Sequence, residues 1–152
     1  MKKLVIAITL LLIALGLRAP AISAIAAETI NGVLLYSPSP YGSNEENLTI
    51  DITENNPNYP GYGKGLSPGS TYRFDDLLRI ENGNGFPVCV VLHSQSDLIR
   101  FYTSGEALQT ISFSLAVNES ISVGVEFSST ELGLMEESYS IKTFEGECDE
   151  AV

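Results

Sequence analysis

Residues 66–92, LSPGSTYRFDDLLRIENGNGFPVCVVL, decide the fold class. Pro68-Gly69 suits a tight turn, because proline presets φ and glycine accepts a positive one. From Tyr72 onward, Tyr72, Phe74, Leu78 and Ile80 alternate with Arg73, Asp75, Arg79 and Glu81. A period of two marks a half-buried strand. Asp76 interrupts it, and a β-bulge at Asp75-Asp76 would aim that carboxylate outward. Phe74, Leu77 and Leu78 also have the spacing of a helical turn, but the alternation around them favours the strand. Asn82-Gly83-Asn84-Gly85 supplies residues that tolerate positive φ, so a β-hairpin is expected. On the return, Val88, Val90 and Leu92 share one face, and Cys89, Val91 and His93 the other.

Working outward, the same grammar recurs. Residues 29–37 (TINGVLLYS) form a strand candidate through Thr29, Ile30, Val33, Leu34, Leu35 and Tyr36, ended by Pro38 and Pro40. Residues 47–53, 98–103, 110–117, 121–127 and 138–144 alternate or are rich in β-forming side chains. With the two runs of the central stretch this makes about eight strands, with turns about every 8 to 12 residues and no convincing long helix. The expected fold is all-β: a β-sandwich of immunoglobulin type, or alternatively a jelly roll. Residues 54–65 (ENNPNYPGYGKG) are the least regular, a loop on which Tyr59 and Tyr62 could meet a partner or fold back over the sandwich edge.

The N-terminus sets the compartment. Lys2 and Lys3 precede an apolar run over residues 4–17, and Ala24-Ile25-Ala26 forms an A-x-A cleavage site. The alternative is a retained anchor, but the run is short of the roughly 20 residues a span needs, and Arg18 and Pro20 interrupt it. Residues 1–26 are therefore expected to be a helical signal peptide cleaved after Ala26 or Ala27. Residues 27–152 then form one sandwich domain, secreted or at the cell surface, touching the membrane only through an uncleaved leader.

Eight basic and 19 acidic residues give a formal net charge of −11. Losing Lys2, Lys3 and Arg18 with the leader takes it to −14. Such a surface repels nucleic acid and anionic lipid and favours cations and basic partners. The two cysteines, Cys89 and Cys148, read as a disulfide outside the cell. It would close a loop of about 60 residues, worth about 4 kcal/mol in the chain-entropy model. Asn47-Leu48-Thr49 and Asn118-Glu119-Ser120 are glycosylation sequons, with Asn47 and Asn118 as acceptors.

Catalytic apparatus is hard to assemble from these residues. The single histidine, His93, stands beside Ser94 and Ser96, and there is no HExxH, no GxSxG and no phosphate-binding glycine loop. No catalytic residue and no resident cofactor are expected. Calcium is the more plausible ion, with loop carboxylates from Glu45-Glu46, Asp75-Asp76 or Glu147, Asp149 and Glu150. Their spacing matches no dedicated calcium loop, so no metal ligand is named.

Leu66-Ser-Pro-Gly-Ser, the alternating strand ending Ile80-Glu-Asn82-Gly83, and the valine run 88–91 resemble the TasA/camelysin group of secreted proteins. Ser120-Ile-Ser-Val-Gly-Val-Glu-Phe127 extends the resemblance, and is also similar to archaeal exported proteins and bundling pilins. The resemblance implies a jelly-roll or immunoglobulin-like sandwich that forms surface fibres. In these an N-terminal strand of one subunit completes the sheet of the next. Here that donor strand would be residues 27–36. Some camelysin-type members are described as metalloproteases, and this chain lacks the residues for that activity. Two functions follow as expectations. The first is a non-enzymatic filament or matrix subunit that self-associates through sheet edges. The second is a monomeric module that binds calcium, a glycan or a basic surface partner.

Overall fold

Strands that alternate apolar with polar side chains leave their sheet one apolar face to cover, and the chain covers it by stacking two sheets. The computed structural model describes residues 21–28, 32–44, 48–53, 56, 68–129 and 136–149. Among them are ten strands: β1 (Ala21–Glu28), β2 (Val33–Tyr36), β3 (Gly42–Asn44), β4 (Leu48–Asp51), β5 (Thr71–Asn82), β6 (Val88–Ser94), β7 (Ile99–Tyr102), β8 (Thr110–Leu115), β9 (Ser120–Ser128) and β10 (Glu136–Glu145). A six-stranded sheet has the order β3-β4-β1-β10-β6-β8, and a four-stranded sheet the order β2-β5-β9-β7. The fold is all-β, a β-sandwich.

One core fills the space between the layers. Leu48, Ile50, Val88, Val90, Leu92, Leu115, Tyr139 and Ile141 enter it from the larger sheet. Leu78, Ile80, Phe101, Val123, Val125 and Phe127 enter from the smaller one. The rings of Phe101 and Tyr139 meet across the layers at 5.6 Å between centroids. Fully burying each such aliphatic or aromatic side chain contributes roughly 1.5–3 kcal/mol before entropy is counted. Burial of this shared face therefore dominates the fold.

All eight expected strands have counterparts, but the central stretch is wired differently. β5 and β6 do not pair; they lie in opposite sheets. The expected hairpin is an arch that carries the chain from one layer to the other. A two-residue hairpin turn of the type Asn-Gly favours needs positive φ, and none of residues 82–85 has it. Asn82 is fully buried. Its Nδ2 donates to the carbonyls of Phe86 (2.9 Å), Leu115 (3.3 Å) and Ala116 (3.1 Å). Its Oδ1 accepts from the Asn84 amide at 3.0 Å. Asn82 thus joins two arches, one after β5 and one after β8, and its side chain serves that junction.

The bulge at Asp75-Asp76 is present. The β5–β9 register shifts between Phe74 and Leu78, and Asp76 stands exposed at φ 52°. Residues 75–77 stand against Gly124 alone, two more than a regular ladder holds, and Leu77 and Leu78 are both fully buried. Two strands lie beyond the eight: β3, a short edge, and β1, which extends the sheet into the segment assigned to the leader. The rest of that leader, residues 1–20, and the loop tyrosines Tyr59 and Tyr62 lie outside the described residues.

Candidate assembly site

β1 occupies an unusual place. It runs parallel to β10, with partners from Ala21↔Glu136 to Glu28↔Lys142. On its other side it is antiparallel to β4, through Ala21↔Asp51, Ile22↔Ile50 and Ser23↔Thr49. Among the described residues it is the single link between β4 and β10 within the sheet, and β3 pairs only with β4. The register slips between Ala24 and Ala26, so Ile25 has no partner on β10. Ala26 and Ala27, the expected cleavage residues, lie inside the strand and pair there with Ser140 and Ile141 of β10, while the β4 pairs stop at Ser23.

Core side chains hold the frame of this slot. Leu48, Ile50 and Ile52 bury on the β4 side. Tyr139 and Ile141 do so on the β10 side. The Tyr139 hydroxyl is buried and has no hydrogen-bond partner. Burial disfavours its phenolate and pushes its pKa far above the ordinary tyrosine value. Tyr139 pairs through its backbone with Ala24, and residues 24–26 carry no side-chain polar group.

The expected donor segment divides. Thr29 and Ile30 lie outside the described residues. Among the described residues, Val33, Leu34, Leu35 and Tyr36 form β2, the edge of the smaller sheet, paired on one side with residues 79–82 of β5. Leu34 is 56% exposed there. The sequence pattern marked β2 as a strand, but nothing in it revealed that the segment just before it fills the interior of the other sheet. The one available signal was the bias of Ala21–Glu28 toward small and β-branched side chains, which a leader's end shares.

Cys89 and Cys148 are disulfide-bonded, with Cα atoms 4.8 Å apart. The bond ties the end of the chain back to β6, the strand beside β10. Gly146 N donates to Pro87 O at 2.8 Å, and Cys148 N to Ser114 Oγ at 2.9 Å, so the tail lies across the ends of β6 and β8. A disulfide fits an oxidising compartment. Asn118 is exposed at a turn with φ 60°, open to modification. Asn47 lies outside the described residues.

The outer face of the smaller sheet carries a polar network. Arg79 Nη2 bonds both carboxylate oxygens of Asp76, at 2.9 and 3.1 Å, and Ser122 Oγ donates to Asp76 Oδ1. The Ser122 hydrogen bond, followed by that of Arg79, holds the Asp76 carboxyl below its ordinary range. Tyr102 donates to Asp75 Oδ1 at 2.7 Å beneath the Arg73 guanidinium, which sits 4.0 Å from the ring centroid. A side chain at Gly124 would strike that ring. These contacts engage Asp75 and Asp76 with protein partners. His93 Nδ1 lies 2.7 Å from Thr110 Oγ1 on the outer face of the larger sheet. Glu147 and Asp149 are exposed on the tail, and Glu45, Glu46 and Glu150 lie outside the described residues. Among the described residues, no three His, Cys, Asp or Glu side chains form a group that could hold a metal ion. No helix there is long and apolar enough to cross a membrane.

No curated protein and no solved structure matches the chain. A family model matches residues 25–148, so the chain belongs to the DUF1102 family, proteins of unknown function.

Proposed function

We propose that the protein is a non-enzymatic, exported structural subunit that builds a filament or surface matrix by passing a strand between copies. One observation carries this: the strand joining β4 to β10 spans the cleavage site expected from the sequence. Processing after Ala26 removes residues 21–26 of that strand and leaves two sheet strands facing each other across a gap. The donor is the N-terminal segment of another copy, residues 27–36. Among the described residues its β2 part has one strand partner in its own sheet, β5, and an edge strand with a free side is a ready template for pairing.

The finer fold class that suits this role is a jelly roll. From β4 to β10 every connection crosses between the sheets, the habit of two interleaved Greek keys. In such a roll β4 and β10 would be neighbours, and β1 is the extra strand between them. The disulfide and the acidic composition fit life outside the cell.

Electron microscopy of the processed protein tests the function. Ordered fibres are expected, and deleting residues 27–36 should abolish them. That deletion also strips β5 of a partner, so Leu34→Asp is the companion variant. Its side chain is exposed in the subunit, and it should leave the monomer folded while preventing fibres. Unchanged fibres from both variants would remove the donor mechanism.

A further inference from the structure

We infer that the last residues of the leader act as a built-in plug: they complete the six-stranded sheet in the precursor, and hydrolysis of the Ala26–Ala27 bond opens the slot between β4 and β10. This deepens the strand-passing function proposed above and rests on it for the identity of the strand that enters next, residues 27–36 of a second copy.

Three independent features of the slot support the plug. Six of the eight residues of β1 precede the scissile bond, including all three that pair with β4. Only Ala27↔Ile141 and Glu28↔Lys142 would survive on β10. The family match begins at residue 25, so every β1–β4 pair lies outside the segment matched by the family. The slipped register at Ile25 falls next to the bond to be cut, where pairing to β10 is already broken.

Chemically the step is ordinary peptide hydrolysis by a signal peptidase. Water adds across the Ala26–Ala27 amide, leaving a carboxylate on Ala26 and an ammonium on Ala27. The strand's opening, not its closure, must precede the cut, because a seated strand does not fit a peptidase cleft. Fraying at Ile25 supplies that opening. Once cut, six residues hold their place by pairing alone and can leave. The slot does not vanish with them, since the buried side chains of Leu48, Ile50 and Ile52 keep β4 seated on the core.

The test uses the full-length precursor, purified in detergent micelles, before and after cleavage by signal peptidase. The probe is a synthetic peptide of residues 21–28, AISAIAAE, with a scrambled peptide as control. Size is read by analytical ultracentrifugation and peptide binding by calorimetry. The precursor should hold one chain per micelle, and an Ala26→Val precursor, too bulky at the cut position for the peptidase, should stay that way. The cleaved chain should self-associate, and a tenfold excess of the peptide, but not of the scramble, should hold it at monomer size. A cleaved chain that binds no peptide and stays monomeric overturns the plug, and means that β4 has closed directly against β10. If precursor and cleaved chain assemble alike and ignore the peptide, the plug fails while assembly through another edge stands. If the cleaved chain binds the peptide yet never self-associates, the plug stands and the filament function fails.

Discussion

Asn82 shows how much one side chain can organise. It contributes donors and an acceptor to four backbone groups around two arches, and it sits fully buried. Asn82→Ala would leave buried carbonyls unpaired, each costing about 1–3 kcal/mol. A loss of about 3 kcal/mol is expected, read as a lower urea midpoint with an unchanged slope. Tyr139 should behave in the opposite way. Its hydroxyl is buried without a partner, so Tyr139→Phe removes a desolvated group and gives up no hydrogen bond. Stability at neutral pH should change by less than about 1 kcal/mol. The variant also isolates a pH effect. Burial raises the folded-state pKa of Tyr139, so the folded form keeps its proton when the unfolded chain has lost it. The stability linked to that proton is complete below the ordinary tyrosine pKa of about 10 and is lost as pH rises above it. Thermal melts above that pH should fall less steeply for Tyr139→Phe than for the parent. An equal slope would show that Tyr139 is not the group responsible.

At the scale of elements, period-two patterning located strands reliably, because burial of one face is a local property written in every second residue. The positions of β5, β6, β8, β9 and β10 were legible this way, and so was the bulge at Asp76, where alternation visibly fails. Pairing was not legible. Asn82-Gly83-Asn84-Gly85 has the residue types of a hairpin, yet it forms an arch, because the backbone adopts no positive φ there and the asparagine side chain is drawn to carbonyls from the other end of the domain. Contacts between residues 33 or 34 positions apart leave no local trace. β1 escaped for a different reason: leader endings and buried strands favour the same small apolar residues. The cysteine pair was readable from count and compartment, and the structure joins it. Since the bond spans 59 residues, reduction should lower stability by about 4 kcal/mol in the chain-entropy model. Urea melts with and without reductant measure this directly. A shift below about 1 kcal/mol would mean that the unfolded chain is already constrained in some other way.

At the scale of the molecule, the proposed function rests on edges rather than on a cleft. The larger sheet joins β4 to β10 through β1, whose residues 21–26 precede the expected cleavage site, and among the described residues the smaller sheet ends in β2, a short strand paired on one side. Under the proposed function, cleavage leaves such a domain incomplete alone, and a strand from a second copy completes it. The acidic surface opposes such association between like-charged copies, so assembly should strengthen as salt screens them; the Debye length falls from about 10 Å at 0.1 M to about 3 Å at 1 M.

The most direct measurement is amide hydrogen exchange along β10 in the exported, processed protein, followed across a dilution series. Residues 136–140 pair with the part of β1 that cleavage removes, whereas residues 139–145 keep β6 as a partner at every concentration. Strand passing between copies predicts that protection of 136–138 is high in concentrated samples and collapses on dilution, while protection of 141–145 persists. Protection of 136–138 that is independent of concentration would contradict it, because the slot would then be filled from within each chain.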